Sequence, residues 1–273
     1  MKKLVCFDLD GTLLRDDKTI PKENVLAISQ AIEAGCYVSI VTGRSFTSAF
    51  QIAKEIGLYK EKCFLINFQG NAIFELKNQS MIYESGLSAS DTKQLLKDLN
   101  NRGLYAQTYD NNGIISNKDC KDLRLYNEIA VEPIRFVKDW DELEDKIYPK
   151  VISIDFSSNV ALERYQKDFL KGEDAKRISC FFSDPKFLEF CDINASKGTA
   201  VKRLAEYIGL SMEDVLCIGD ERNDISMIQM AGIGCAMANS HPDAKQYADY
   251  ITEKTNNQGG VAEVIEKFIL NKE

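Results

Sequence analysis

Two aspartates, Asp8 and Asp10, stand one residue apart just after a short apolar run near the start of the sequence. The run, residues 4–7, is typical of a buried strand, and side chains two residues apart on an extended chain point to the same side. In an open α/β sheet, ligands bind beyond the carboxyl ends of the strands. Residues 8–12, Asp-Leu-Asp-Gly-Thr, therefore predict an active site with two carboxylates, against the simpler interpretation of an acidic turn that ends a strand.

Three later segments carry polar or charged residues at predicted strand ends or helix starts. Thr42-Gly43-Arg44 follows a second apolar run and opens a predicted helix, where a hydroxyl, a glycine amide and helix N–H groups could hold an anion. Lys197 stands in the first turn of a later predicted helix, and residues 219–224, Gly-Asp-Glu-Arg-Asn-Asp, follow another apolar run. All four segments thus fall at a strand end or a helix start, where such a sheet places its ligand site.

These residues also have structural interpretations that involve no chemistry. Thr42 is β-branched and could merely end a strand, and Arg44 could contact a substrate or form a structural ion pair. Asn223 and Asp224 could be simple helix caps. Lys197 is more informative, because a cation in the first turn opposes the helix macrodipole by about 0.3–1 kcal/mol. Because Lys197 goes against this local electrostatic preference, a functional role is favoured for it.

The elements that must position these segments alternate between strand and helix. In the first part of the sequence we expect strands at residues 4–7, 37–41 and 63–66, with helices from Pro21 to near Gly35 and from Ser45 to about Gly57. The same order returns late, with helices at about 196–208, 223–231 and 261–269 and strands at 215–218 and 233–237. This alternation predicts an α/β fold with a doubly wound parallel sheet and crossover helices.

Between about Glu84 and Phe190 the pattern changes. More polar strands are expected at residues 105–109 and 151–156, separated by amphipathic helices at 91–100 and 161–170. A stretch of roughly a hundred residues matches an independent domain in size. We therefore expect an inserted α+β module between the two halves of the sheet domain.

Composition excludes several classes of protein. The chain of 273 residues is 44% hydrophobic and 28% charged, which is typical of globular proteins, and its formal net charge of -8 with no basic stripe argues against nucleic-acid binding. No segment has the length of a membrane span or a signal-peptide core, so a cytoplasmic protein with no membrane partner is expected.

The eight cysteines stand singly, most of them within apolar runs, and none forms a Cys-x-x-Cys pair. They predict buried free thiols in a reducing compartment. A zinc site is hard to build from them, since the single histidine, His241, precedes a proline in a predicted surface turn.

The four segments together resemble those of the haloacid dehalogenase (HAD) superfamily of aspartate-nucleophile phosphatases. Their order and spacing, and the insertion between the second and third, are similar to the Cof-type sugar-phosphatase subfamily. The resemblance implies a Rossmann-like core formed by residues 1–83 and 191–273 and an inserted α+β cap formed by residues 84–190. It also implies a Mg²⁺-dependent phosphatase that acts on small phosphorylated metabolites, sugar phosphates first, through an aspartyl-phosphate.

The resemblance carries specific roles to matching residues. Asp8 would be the nucleophile, and Asp10 the general acid for the leaving alcohol and then the base for water. Mg²⁺ would be held by the Asp8 carboxylate, the Asp10 backbone carbonyl and Asp220, while Asp224 would orient metal-bound water. The groups expected to bind the phosphoryl oxygens are Thr42, Lys197, Asn223 and the backbone amides of Leu9 and Gly43.

Three positions depart from the subfamily pattern. Glu221 stands where glycine is frequent, Gln69-Gly70 where Asn-Gly is common, and Ala238-Asn239 where Gly-Asn is common. None of them removes a predicted catalytic group. All lie on loops near the expected site, so they bear on substrate preference.

Two other functions stay open at this point. A sugar phosphomutase would use the same scaffold and return an isomeric phosphate with little inorganic phosphate. A phospho-acceptor module, like a response-regulator receiver, also uses Asp, Mg²⁺, Thr and Lys, but Asp10 and the insertion argue against it. The physiological substrate and the oligomeric state are left open by the sequence.

Overall fold

The computed structural model describes residues 3–110 and 112–270. In chain order the strands are β1 (Leu4–Phe7), β2 (Tyr37–Val41), β3 (Cys63–Asn67), β4 (Ala72–Glu75), β5 (Ser80–Glu84), β6 (Tyr105–Asp110), β7 (Gly113–Ser116), β8 (Ile134–Phe136), β9 (Val151–Ile154), β10 (Ile178–Asp184), β11 (Phe187–Asp192), β12 (Val215–Gly219), β13 (Ile233–Ala236) and β14 (Tyr250–Ile251). The helices are α1 (Lys22–Glu33), α2 (Phe46–Glu55), α3 (Ala89–Asn101), α4 (Lys121–Ala130), α5 (Val160–Phe169), α6 (Lys197–Tyr207), α7 (Ile225–Met230), α8 (Pro242–Lys245) and α9 (Gly260–Phe268).

The chain divides into two compact units. The first, here named the sheet unit, runs to Arg44, covers Ala49–Tyr83 and resumes at Ser196. The second, here named the inserted unit, comprises Ser45–Ser48 and Glu84–Ala195. The identification of residues 84–190 as a cap domain stays a prediction about their function.

The sheet unit contains an eight-stranded sheet in the order β14-β13-β12-β1-β2-β3-β4-β5 within the described residues. Strands β14 to β3 in that order run parallel, with Leu4 of β1 opposite Val215 of β12 on one side and Tyr37 of β2 on the other. Strand β4 pairs antiparallel with β3. The structure confirms the doubly wound α/β sheet and adds a hairpin edge that the sequence pattern did not predict.

Alternation along the central strand builds an apolar layer on each side of the sheet. Leu4 and Cys6 of β1 pack in one cluster with Val201 and Leu204 of α6, while the intervening Val5 is also fully buried. Helices α1 and α9 contact each other, and α1 contacts β2. Burying both faces in this way is what a parallel sheet requires, and it fixes the carboxyl ends of its strands.

The inserted unit has a six-stranded sheet in the order β10-β11-β9-β6-β7-β8 within the described residues. Its apolar core includes Leu96 of α3, Leu162 of α5 and Ala106 of β6. The next residue of β6, Gln107, is buried but hydrogen-bonded to Tyr105 and Tyr109. One face of this sheet is therefore apolar under helices, and the other carries a polar network.

The remaining elements correct a few details of the predictions. The helix expected at 223–231 is a 3₁₀ turn over Arg222–Asp224 followed by α7. All eight cysteines are free thiols as predicted, and every one except the partly exposed Cys120 is buried. Within the described residues, no helix combines the length and apolar character needed to cross a membrane.

Candidate active site

The site forms where β1 and β12 end side by side. Phe7 lies opposite Ile218 in the parallel register, and the Asp8 amide donates to the Ile218 carbonyl at 3.0 Å. Asp8 follows β1 directly and Asp220 follows β12 directly. Two neighbouring strands thus deliver two carboxylates to the same edge of the sheet. Among the described residues, carboxylate oxygens of Asp8, Asp220 and Asp224 lie within 4.8 Å of one another.

Lys197 is buried within this group of carboxylates. Its Nζ donates to Asp8 Oδ1 at 2.7 Å and to Asp224 Oδ1 at 2.6 Å, and 1% of its side chain is exposed. Burial disfavours the charged ammonium, but the charges of Asp224 and Asp8 outweigh that effect, so the pKa of Lys197 lies above its usual value. The cation that opposes the dipole of α6 is therefore stabilised by two carboxylates.

The carboxylates still carry more negative charge than Lys197 balances. Burial raises the pKa of Asp8 well above its usual value despite Lys197, and Asp224 and Asp220 raise it further. Burial and Asp224 likewise raise the pKa of Asp220 to about 7, although Thr12 Oγ1 donates to Asp220 Oδ1 at 2.7 Å. Crowded hard oxygens with unbalanced charge are the donors that Mg²⁺ prefers. The residues present fit a divalent cation.

Asp224 has a second role as an anchor for the loop that follows β12. Its Oδ2 accepts from the backbone amides of Asp220 at 2.9 Å and Glu221 at 3.0 Å. Glu221 itself is exposed, and its side chain accepts from the Arg222 amide at 2.8 Å. The helix-cap interpretation thus describes part of what Asp224 does, while Lys197 connects the same carboxylate to Asp8.

Asp10 does not join that cluster through its side chain. Its carboxylate is paired with Arg44, which donates from Nε to Oδ2 and from Nη2 to Oδ1, both at 2.7 Å, and with Lys18 Nζ at 2.9 Å. Burial raises the pKa of Asp10, but the hydrogen bonds and charges of Arg44 and Lys18 outweigh it and lower the pKa to about 2. Of the two interpretations of Arg44, the structure contains the ion pair.

The second predicted segment follows β2, which lies beside β1. Thr42 is buried, its amide donates to the Ile66 carbonyl at 2.8 Å, and its Oγ1 accepts from the Arg44 amide at 3.2 Å. Leu9 is also buried, and its carbonyl accepts from the amides of Thr12 and Leu14 in the turn after β1. These contacts set the backbone at both predicted phosphate-binding turns.

Sequence reasoning gave no role to Gly11 or Lys18, and it identified Gln69 only as a loop position that bears on substrate preference. Gly11 has a positive φ of 80°, and a Cβ there would lie 2.2 Å from Asp220 Oδ2, so only glycine fits between the two loops. Its place in the segment at residues 8–12 was the available signal. Lys18 reaches Asp10 from a loop, which nothing in its sequence neighbourhood indicates. Gln69 accepts from Asn223 Nδ2 at 3.1 Å.

Comparisons with known proteins agree with this geometry. Residues 5–265 match the family described as haloacid dehalogenase-like hydrolase. The chain is 33% identical over 271 residues to 5-amino-6-(5-phospho-D-ribitylamino)uracil phosphatase YcsE of Bacillus subtilis (strain 168), covering 98% of this chain and 96% of that protein.

Solved structures give the same result. A haloacid dehalogenase-like hydrolase from Bacteroides thetaiotaomicron superposes with a TM-score of 0.89 at 29% identity, covering 98% of this chain and 100% of that one. The HAD subclass IIB sugar phosphatase BT4131 superposes with a TM-score of 0.80 at 21% identity, covering 97% and 98%, and supports the fold alone.

Proposed function

We propose that this chain, which belongs to the haloacid dehalogenase-like hydrolases and is a phosphatase, is a Mg²⁺-dependent enzyme. Its proposed substrates are small phosphorylated metabolites, with sugar phosphates as the first candidates. The observation that carries the proposal is the placement of Lys197 between Asp8 and Asp224, with Asp220 beside them. A buried nucleophile, a buried cation and an acidic metal-binding set are the components that phosphoryl transfer requires.

In the proposed reaction, an Asp8 carboxylate oxygen attacks phosphorus while the bond to the leaving alcohol oxygen breaks. Asp10 donates a proton to that oxygen, and the phosphoryl group stays on Asp8 as an acyl phosphate. Asp10 then accepts a proton from the water that attacks the acyl phosphate, which releases inorganic phosphate and regenerates the Asp8 carboxylate.

The other residues of the site handle charge. Lys197 balances the negative charge of Asp8 and is expected to contact a phosphoryl oxygen, together with Thr42, Asn223 and the amides of Leu9 and Gly43. Asp8, Asp220 and the Asp10 carbonyl would hold Mg²⁺, with Asp224 orienting its water. The ion would neutralise the phosphate charge that otherwise repels the nucleophile.

We also propose that residues 84–190 select the leaving group. The size and separate core of the inserted unit support this role, together with the resemblance to cap-bearing phosphatases. Replacing that segment with a short Gly/Ser linker should alter the ranking of sugar phosphates more than the rate with 4-nitrophenyl phosphate. An unchanged ranking in a soluble, folded truncation would assign selection to the sheet unit.

The function is tested by measuring phosphate release, with Mg²⁺, from sugar phosphates, nucleotides, phosphorylated cofactors and 5-amino-6-(5-phospho-D-ribitylamino)uracil. Multiple turnovers with stoichiometric phosphate are expected for at least one ester. A single turnover would indicate a phospho-acceptor, and an isomeric phosphate without release would indicate a mutase.

The matched control is Asp8→Asn, which keeps the shape of the side chain and removes the nucleophile. Phosphate release should fall by at least about 10³-fold, because removing a nucleophile disables the whole covalent route. Thermal unfolding of the variant checks that it is folded. Retention of a tenth of the wild-type rate would contradict the covalent mechanism.

A further inference from the structure

Two consecutive residues in the turn after β3 have left-handed backbones. Phe68 has a φ of 49° and Gln69 a φ of 59°, and both are buried. Residues other than glycine seldom adopt this conformation, and where they do the surrounding structure must hold them there. The turn, here named the 68–70 turn, lies outside the four segments that carry the predicted catalytic residues.

The backbone of the 68–70 turn is held by the second of those segments and by the start of α6. The Phe68 amide donates to the Arg44 carbonyl at 3.1 Å, and the Gln69 amide donates to the Thr42 carbonyl at 3.2 Å. Gly70, with a φ of 101°, lies so close to Ser196 that a Cβ would be 2.4 Å from the Ser196 carbonyl oxygen. The turn therefore touches the residues on both sides of Gly43 and the cap of the helix that begins with Lys197.

The Gln69 side chain extends this contact to the fourth segment. Its Oε1 accepts from Asn223 Nδ2 at 3.1 Å, and its Nε2 lies 2.6 Å from where a Cβ of Gly43 would be. Asn223 Oδ1 is buried with no hydrogen-bond partner among the described residues. The bond to Gln69 is thus the hydrogen bond that orients the Asn223 carboxamide, and it leaves the second N–H of Nδ2 for another acceptor.

We propose that Gln69 is a positioning residue of the phosphoryl-binding site, an inference that rests on the proposed function. It orients the Asn223 carboxamide towards a phosphoryl oxygen and packs against Gly43, whose amide is expected to bind another. Gln69 acts through these two residues and does not itself contact the substrate. A hydrogen bond between two neutral side chains of this kind is worth a few-fold to about tenfold in an equilibrium constant.

The test is a double-mutant cycle with Gln69→Met and Asn223→Ala, in the presence of Mg²⁺. Methionine keeps the approximate volume of glutamine and removes both hydrogen-bonding groups. We expect Gln69→Met to raise the KM for 4-nitrophenyl phosphate and the inhibition constant of inorganic phosphate by about 3- to 10-fold, with kcat changed less than the KM. The loss in the double variant should be smaller than the sum of the two single losses, because the part of the Gln69 effect that acts through Asn223 is already absent in Asn223→Ala.

The chain offers a matched control in Gln79, an exposed glutamine with a φ of 51° in the same left-handed region. Gln79→Met should leave both constants unchanged. If Gln69→Met does not fold, Gln69→Gly serves instead, since glycine suits the left-handed backbone and removes the same hydrogen bonds. If a variant has the melting temperature of wild type but binds phosphate less tightly, Gln69 positions the phosphoryl-binding groups, because a purely structural role would lower the melting temperature.

Other outcomes contradict the proposal. Unchanged constants in folded Gln69→Met, or effects of Gln69→Met and Asn223→Ala that simply add, would show that Gln69 does not act through Asn223. If wild type hydrolyses no ester, the proposed function fails, and the same cycle is measured by calorimetry of inorganic phosphate binding. Wild-type protein that neither hydrolyses esters nor binds inorganic phosphate would overturn both proposals.

Discussion

The pairing of Asp10 with Arg44 and Lys18 sets a condition on its proposed role. A carboxylate with a pKa of about 2 holds no proton near neutral pH, so Asp10 must gain a proton before it can act as the acid of the first step. Lys18 is largely exposed, whereas Arg44 holds both carboxylate oxygens. Proton donation by Asp10 therefore requires that the Arg44 contact loosen when the substrate binds.

We predict that Asp10→Asn slows hydrolysis of a sugar phosphate by about 10²- to 10⁴-fold, because the variant cannot transfer a proton. The loss should be smaller with 4-nitrophenyl phosphate, whose leaving group needs little protonation. Steady-state kcat for both esters is the measurement. Equal losses with the two esters would mean that Asp10 acts only through its contacts with Arg44 and Lys18.

Among the elements, helix α6 carries the buried cation Lys197 at its N-terminus, where the helix dipole disfavours positive charge. Ser196 caps the helix, its Oγ accepting from the Thr199 amide at 3.1 Å while Thr199 Oγ1 accepts from the Ser196 amide at 3.2 Å. This reciprocal cap satisfies first-turn donors and fixes where the helix begins. The helix can then place a buried cation at its first residue without losing its N-terminus.

We predict that Ser196→Ala lowers the free energy of unfolding by about 0.5–2 kcal/mol and also lowers kcat/KM several-fold, because the first turn that carries Lys197 loosens. Ser88 of the inserted unit caps α3 and provides the matched control, since its Oγ accepts from the Asp91 amide at 3.1 Å. Ser88→Ala should cost similar stability in urea unfolding with no change in turnover of 4-nitrophenyl phosphate. Equal kinetic effects in both variants would show that the Ser196 cap does not act on turnover through Lys197.

In the inserted unit, Lys150, which directly precedes β9, and Glu189 of β11 form an ion pair at 3.0 Å, with 5% of each side chain exposed. Lys150→Met should lower the free energy of unfolding by about 3–5 kcal/mol, because it leaves a buried carboxylate without a counter-charge. Ser183 Oγ donates to Glu189 Oε1 at 2.6 Å, and glutamine could accept the same hydrogen bond, so the double variant Lys150→Met/Glu189→Gln should regain part of that loss. Urea unfolding of the single and double variants measures this, and losses that add would contradict a buried charge as the cause.

Sequence patterns predicted most of the elements that have largely apolar runs or helical spacing. Strands β1 and β2 lie where expected because each is a largely apolar run, and helix α6 lies where expected because its apolar residues have helical spacing. The conformation of the β3–β4 turn was not predicted, because Phe68 and Gln69 have left-handed backbones, which sequence patterns assign to glycine or asparagine. Likewise, no local pattern shows that Arg44 pairs with Asp10, since that contact joins loops after two different strands.

For the whole molecule, the cation site proposed at the acidic cluster would couple cation binding to the stability of the fold. Three carboxylates and one ammonium are held together within the sheet unit, so the folded chain concentrates negative charge that the unfolded chain spreads out. A cation that binds only the folded state shifts the folding equilibrium by mass action.

We therefore predict that Mg²⁺ at about a hundredfold excess over its Kd stabilises the chain by about 2.7 kcal/mol and restores activity lost on dialysis against a chelator. Melting temperature and phosphate release, followed across a Mg²⁺ titration, should change together. Asp220→Asn should weaken both responses. Full activity in protein shown by elemental analysis to be free of metal would contradict the cation site.

The central position of β1 has a consequence for how the chain is made. Leu4 lies opposite Val215, so one edge of β1 stays unpaired until more than two hundred residues have left the ribosome. At 5–20 residues per second that interval is roughly 10–40 s. Throughout it, the nascent chain exposes an apolar edge strand, which is a template for aggregation. We therefore expect the yield of this protein to depend on synthesis rate and chaperone supply as well as on the stability of its finished fold.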